Sequence, residues 1–410
     1  MTPDGLHAFG GYGIELEYMI VDAESLSVLP IADRLLQSDG EVVPEVRRGA
    51  MGWSNELVLH LFEVKNRVPL PRIETLVSAF RNEIAEIGAR LAAEGARLMP
   101  TAMHPWMDPV VERQLWPHAG APIYLGYDRI FNTRSHGWAN LQSMHLNLPF
   151  AGDAEFARLH AAARAVIPLL PALAASSPVA EGLETGFVDT RMEEYRTHTA
   201  RVPAVAGAIV PDTTWSRAAY EADVLEPIYR EIARWDPRAV LQEEWLNARG
   251  LIPRFDRSAV EIRVIDTQEC PENDLAIAAL ASAVVQALYE SRWAPLAEQQ
   301  LLSTPQLAET LWRCVRDGDL AVLDDRDLLG CFGFPGTHCE ARELWQHLAA
   351  ATLPEDPPFL PALRRILDEG PLARRILRAL DGDLRRSHLR EVYRELCDCL
   401  AAGRMFEAGR

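Results

Sequence analysis

Residues 11–21 (GYGIELEYMIV) alternate in polarity, with Ile14, Leu16 and Tyr18 on one side and Glu15 and Glu17 on the other. That period of two predicts a half-buried strand. Residues 56–64 (ELVLHLFEV), 141–150 (LQSMHLNLPF) and 259–265 (AVEIRVI) are three further runs of strand type. The period lengthens to three or four through Ile73, Leu76, Phe80, Ile84, Ile87 and Leu91, which predicts a helix with Pro71 just ahead of it. Asp153 is expected to cap a long Ala/Leu-rich helix reaching about Ala175, and Asn273 and Asp274 to open another that runs from Pro271 to Glu290. Residues 98–140 are irregular, rich in Pro, His and Trp, and long for a loop, which marks them as a functional segment. Beyond residue 300 the pattern is helical: 306–316, 340–351, 360–380 and 384–402, with a turn at 354–358. The prediction is an α+β part over residues 1–300 followed by a helical C-terminal region over 301–410 packed on it.

Composition narrows the function. The 410 residues carry 41 Lys+Arg against 59 Asp+Glu, a formal charge of −18, with 48% apolar residues. The acidic balance argues against a nucleic-acid partner, which needs clustered cations. It leaves a phosphate substrate open, because Mg²⁺ held by carboxylates does the same electrostatic work. No apolar run is expected to span a bilayer, and residues 1–13 lack the marks of a secretory signal, so the expected compartment is the cytoplasm. The six cysteines form no CxxC pair and read as free, mostly buried thiols.

The chemistry lies in charges set inside apolar strands. Glu15/Glu17, His145/Asn147 and Glu261/Arg263 are each two residues apart, so each pair shares a strand face. Glu56 and Glu63 are seven apart, an odd separation that a regular strand would split between two faces. Both reach one site only with a bulge or turn between them, such as near His60. Alone, each pair has a plain reading: a solvated Glu-x-Glu face, a core histidine, a cross-strand ion pair. On one sheet, five carboxylates beside an imidazole are costly unless cations neutralise them. Oxygen donors with one imidazole suit Mg²⁺ or Mn²⁺ rather than zinc. No P-loop, complete GxGxxG, GxSxG or HExxH motif is present, so any phosphate is held by metals and arginines.

These segments resemble the glutamate–cysteine ligase family of the second, bacterial and plant type, which includes carboxylate–amine ligases. The resemblance runs through GIELEYMIVD (13–22), Asn55-Glu56 to Glu63, His145-Leu146-Asn147, PLLPALAASSPVAEGLETGFVDTR (168–191), AVEIRVIDTQ (259–268) and the DLAIAAL helix, over the first 290 residues. It implies a glutamine-synthetase-like fold, a curved antiparallel sheet backed by helices. It also implies ATP-dependent activation of a carboxylate to an acyl phosphate, which an amine converts to an amide. The family pattern implies Glu15, Glu17, Glu56, Glu63, His145 and Glu261 as metal ligands, Asn147 and Arg263 at the nucleotide, and Arg263 near the transferred phosphate. Arg191 is a partner for a substrate carboxylate or phosphate, or else a structural ion pair with Glu184 or Asp189. Many relatives carry a second histidine where Asn147 stands, which marks a distinct subgroup. The expected partners are small-molecule substrates, with no nucleic acid or membrane; a homo-oligomer is compatible with the sequence. Residues 103–138 and 184–199 are lid candidates. The alternatives are the same chemistry on another amine, a metal-dependent hydrolase, or a non-catalytic module on the same fold.

Overall fold

The structure, a computed structural model, describes residues 5–408. Eight strands form the main sheet: β1 (Gly13–Asp22), β2 (Glu45–Arg48), β3 (Met51–Asn55), β4 (Leu61–Asn66), β5 (Ala96–Met99), β6 (Ser143–Pro149), β7 (Leu251–Arg254) and β8 (Ala259–Asp266). Their order is β7-β8-β6-β1-β4-β3-β2, with β5 beside the later half of β1, and every pairing is antiparallel. The alternation read in the sequence sets the two faces. Ile14, Leu16, Tyr18, Phe62, Val64, Leu146, Leu148, Val260 and Ile262 are all inaccessible and join the main apolar core. Their neighbours Glu15, Glu17, Glu63, His145 and Glu261 take the opposite face.

Eight of the helices matter here: α1 (Leu76–Ala92), α2 (Ala121–Phe131), α3 (Gly152–Val166), α4 (Thr190–Thr197), α5 (Pro271–Tyr289), α6 (Ala341–Thr352), α7 (Leu372–Leu380) and α8 (Arg386–Ala402). The main core gathers α1, α3, α5 and α6 behind the sheet. Residues beyond 300 share that core: the Trp345 indole of α6 donates to the Leu169 carbonyl at 3.0 Å. A second apolar cluster joins Met19 and Val21 of β1 to Ile376 of α7 and Tyr393 and Leu396 of α8. One buried ion pair also ties α7 to the segment after β8. Arg375 Nη1 lies 2.5 Å from Glu269 Oε1, and both side chains are inaccessible. The Phe406 backbone closes the ring, its N–H donating to Glu269 Oε1 (3.1 Å) and its carbonyl accepting from Arg375 (3.1 Å).

Several expectations need correction. Residues 56–60 are a turn, not strand: Leu59 N–H donates to the Gln114 carbonyl, and β4 begins only at Leu61. The irregular stretch 98–140 holds α2 and two single-turn helices, hidden by its Pro and Trp content. The run 360–380 breaks into two helices at Gly370 (φ 86°) and Pro371. Asp153 is not the cap of α3; Ala151 is, its N–H accepted by Glu155, while Asp153 receives the Arg217 N–H. Asn273 and Asp274 sit buried inside the first turn of α5, which Cys270 caps. Residues Gly152–Ala174 are long and apolar enough for a membrane span, but 89% of that window is buried, as in a core helix. All six cysteines are free and buried.

Candidate active site

The strand register places the sequence-predicted residues in one row. Glu261 of β8 faces Asn147 of β6, His145 of β6 faces Glu15 of β1, and Glu17 of β1 faces Glu63 of β4. Ser54 of β3 faces Glu63 and donates to its Oε1 at 2.6 Å. Glu56 follows the end of β3, and the turn at 56–60 brings it back over the same face. Thus the odd separation of Glu56 and Glu63 is absorbed by a turn, as the spacing required.

Two sets of three ligand atoms lie within 4.8 Å of one another: Glu15, Glu63 and His145, and Glu17, Glu56 and Glu63. Glu63 belongs to both. Asn147 donates to Glu15 at 3.2 Å, and Ser143 donates to Glu17 from its backbone (2.7 Å) and its hydroxyl (3.0 Å). His145 Nδ1 is 3.3 Å from Glu15, and its Nε2 is 3.8 Å from Glu17. Glu261 lies outside both sets. Its carboxylate is held by Arg254 (3.3 Å) and Arg263 (3.1 Å), with His145 at 3.9 Å.

The electrostatics separate these carboxylates. For Glu56, burial and then the charges of Glu17 and Glu63 push the carboxyl well above its ordinary range. Glu63 is raised by burial and by Glu15, and Glu17 by burial and by Glu63. Burial also opposes ionisation of Glu261, but Arg263, His145 and Arg254 outweigh it and hold the group down. Lys65, 2.7 Å from Glu63, is the cation that meets the other end of the row from Arg254 and Arg263. Glu15 differs: burial opposes its ionisation, but His145 and Lys65 outweigh it and hold the carboxyl down to about 2. Glu17, Glu56 and Glu63 are therefore the members that the protein itself leaves under-neutralised. Hard oxygen donors, one imidazole and unbalanced negative charge fit Mg²⁺ or Mn²⁺.

Arg191, at the start of α4, is 2% exposed. Its hydrogen-bonded partner is Asp266, to whose Oδ1 the Arg191 Nε donates at 2.5 Å, with Asp189 acting on it through charge. Asp266 also accepts from Ser176 N–H (2.8 Å) and the Ser177 hydroxyl (3.1 Å). The Arg191 Nη2 atom is buried without a protein partner, and the residue lines the larger of two cavities on the sheet face. That cavity, about 350 Å³, reaches from Glu17, Glu56, His145, Arg191 and Arg263 to a wall of aromatic residues on α2, α4 and the 245 region. Both lid-candidate segments contribute, through Tyr124, Tyr127, Trp138, Tyr195 and His198. A second cavity, about 310 Å³, opens on the other flank and includes Glu15, Asn147, Arg67 and Arg257. Gly13 borders it, and a Cβ there would lie 3.1 Å from Asn147 Cβ, so a side chain at position 13 would displace Asn147 by a few tenths of an ångström. Lys65, Arg254 and Asp266 escaped the sequence reading. Lys65 had a signal, since it stands two residues after Glu63.

The sheet backed by helices carries this row of carboxylates and one imidazole, and the family match makes the chain an ATP-dependent carbon–nitrogen ligase. The chain belongs to glutamate–cysteine ligase family 2, whose family model matches residues 12–397. It is 30% identical over 395 residues to an uncharacterized protein of Archaeoglobus fulgidus, covering 96% of this chain and 99% of that one. It is 27% identical over 323 residues to a Rubrobacter xylanophilus protein named "Putative glutamate--cysteine ligase 2-3", covering 76% and 77%. Among solved structures, the fold is similar to glutamate–cysteine ligase of Francisella tularensis in complex with AMP, with TM-score 0.63, 13% identity and coverage of 99% and 91%. A bifunctional glutathione synthetase from Pasteurella multocida matches with TM-score 0.56 and 13% identity, over 95% of this chain and 52% of that one.

Proposed function

We propose that this enzyme joins a carboxylate to an amine through an acyl phosphate, with L-glutamate as the donor and release of ADP and phosphate. The observation that carries the reading is the row of Glu15, Glu17, Glu63 and His145 lying between two cavities, with Arg191 and Arg263 on one side and Asn147 on the other.

The cavity beside Asn147, Arg67 and Arg257 takes the nucleotide, and the larger cavity takes donor and amine. Glu15, Glu63 and His145, and Glu17, Glu56 and Glu63, would hold divalent cations, which supply neutralisation of the triphosphate. Glu261 serves differently from the other ligand candidates: its carboxylate fixes Arg254 and Arg263. Arg191, clamped by Asp266 and with a free Nη2, binds a carboxylate of the donor. The donor's reacting carboxylate oxygen attacks the γ-phosphorus as the bond to ADP breaks. Arg263 faces the charge on the phosphoryl group. The amine nitrogen then attacks the acyl carbon, inorganic phosphate leaves, and the amine proton passes to a carboxylate of the row or to solvent. The aromatic wall keeps water from the acyl phosphate.

The test is ADP formation by purified protein with Mg²⁺, ATP and L-glutamate, with an amine present or absent. Amine-dependent ADP with an amide product seen by mass spectrometry supports the reading. Substrate turnover without ATP would replace it with the hydrolase alternative. ADP release that survives Glu63→Gln unchanged would refute the role given to the row.

A further inference from the structure

The wall of the larger cavity opposite the carboxylates is built from aromatic faces. Tyr127 and Trp138 ring centroids are 4.9 Å apart, Tyr127 and Trp245 are 6.0 Å apart, and Trp138 and His198 are 4.8 Å apart. All four residues line the cavity. Their polar edges are turned to the protein where the contacts are defined: Trp138 Nε1 donates to the His198 carbonyl at 3.0 Å, and His198 Nδ1 bonds the Tyr195 carbonyl. Burial keeps His198 neutral, pulled down to about 4. Among the described charged lining residues, Glu17, Glu56 and Arg191 belong to the sheet end, while Arg263 reaches towards the wall, its Nη1 donating to the Asn247 carbonyl at 3.3 Å. Beyond Arg263 the wall offers mainly the ring surfaces of Tyr127, Trp138 and Trp245.

We infer that the amine acceptor carries an aromatic ring, which stacks in the box formed by Tyr127, Trp138 and Trp245. The inference rests on the ligase reading above and adds the acceptor's class to it. Arg191 and Arg263 are assigned above to the anionic donor and its phosphoryl group, so the ring-lined end falls to the other substrate. An amine must lose a proton to become a nucleophile, and surroundings of apolar rings disfavour the ammonium form. A ring stacked offset or edge-on against these side chains gains aromatic contact in addition to burial. A small polar acceptor would leave most of that surface unused.

The test measures ADP release with L-glutamate, ATP and Mg²⁺ against phenethylamine, L-phenylalanine, L-cysteine and glycine. The expected result is a kcat/KM at least about tenfold higher for a ring-bearing amine than for L-cysteine, the factor that aromatic contacts of this kind supply. Trp245→Ala should raise the KM for that amine about tenfold, and Trp245→Phe should restore it. In parallel, tryptophan fluorescence is titrated with phenethylamine and with L-phenylalanine without ATP; saturable quenching of the wild type, lost in Trp245→Ala, is expected. L-cysteine equalling the ring-bearing amines would overturn the inference and leave the ligase reading standing. So would a Trp245→Ala effect confined to the KM for ATP, which would make the box a nucleotide-base site. If no pair releases ADP, the ligase reading fails, and the fluorescence titration still decides the box: no saturable binding of either ring-bearing amine refutes it.

Discussion

Replacing Arg375 with Met removes the cation from an ion pair that has no access to solvent. Glu269 keeps its charge in the same place, with only the Phe406 N–H left as a near neighbour from the tail. Breaking a buried pair from one side costs about 3–5 kcal/mol, because the surviving charge is left uncompensated. An unfolding entropy of about 2.1 cal/mol/K per residue over 410 residues gives roughly 0.9 kcal/mol per degree. The expected fall in Tm is therefore about 3–6 °C. The pH dependence gives a second check. Burial pushes the Glu269 carboxyl up, but the Arg375 guanidinium and the Phe406 N–H outweigh it and hold it below its ordinary range. A depressed carboxyl stabilises the fold above its unfolded pKa, and that contribution is lost as pH falls through the lower folded value. In Arg375→Met only burial and the remaining hydrogen bond act, and the carboxyl becomes harder to ionise. The gap between wild type and variant should thus be widest at neutral pH and narrow towards about pH 4. Glu269→Gln/Arg375→Met should recover part of the loss, since it leaves no orphan charge. Calorimetry of the three proteins from pH 4 to 7.5 reads all of this. A fall under about 1 °C, or a gap that does not change with pH, would refute the argument.

The carboxylate row supplies a metal prediction: Mg²⁺ at about 100 times its Kd should stabilise the protein by about 2.7 kcal/mol, near 3 °C, and EDTA should reverse it. Glu63→Gln removes a charge common to both ligand sets and should abolish most of that shift; a full shift in the variant by thermal melting would contradict the assignment. Asp266→Asn frees Arg191 from its clamp, and kcat/KM for the donor should fall about 100-fold by ADP release, as expected when a binding group is misplaced. An unchanged donor KM and kcat in a folded Asp266→Asn protein would remove Arg191 from the donor site.

The pairs two residues apart were legible because strand geometry is local. Glu15 and Glu17, His145 and Asn147, and Glu261 and Arg263 need only a period of two to share a face. The 56–63 spacing even carried its own warning, since seven residues demand a turn. What stayed hidden depended on distant partners. Arg191 could be assigned to near acidic neighbours, but its carboxylate comes from Asp266, 75 positions away. Arg254 gave no signal inside LIPR until β7 paired with β8 and set it beside Glu261. The helix α2 was masked by residues that serve the cavity wall, Tyr124 and Tyr127, which contribute ring surface there and are weak helix formers.

The register of β8 against β6 slips by one between Ile262 and Ile265. Before the slip Glu261 faces Asn147, and after it Asp266 faces Ser143, so both carboxylates stand on the catalytic side although they are an odd number of residues apart. The irregularity works as a change of parity. It lets one strand present the acid that fixes Arg263 and then the acid that fixes Arg191, with apolar Val264 and Ile265 consecutive between Arg263 and Asp266. Deleting the extra residue would restore strict alternation and leave Ile265 opposite Met144 and Asp266 opposite Ser143. A regular strand of the present length, paired in register through residue 266, would instead turn Asp266 towards the core and leave Arg191 without its anchor.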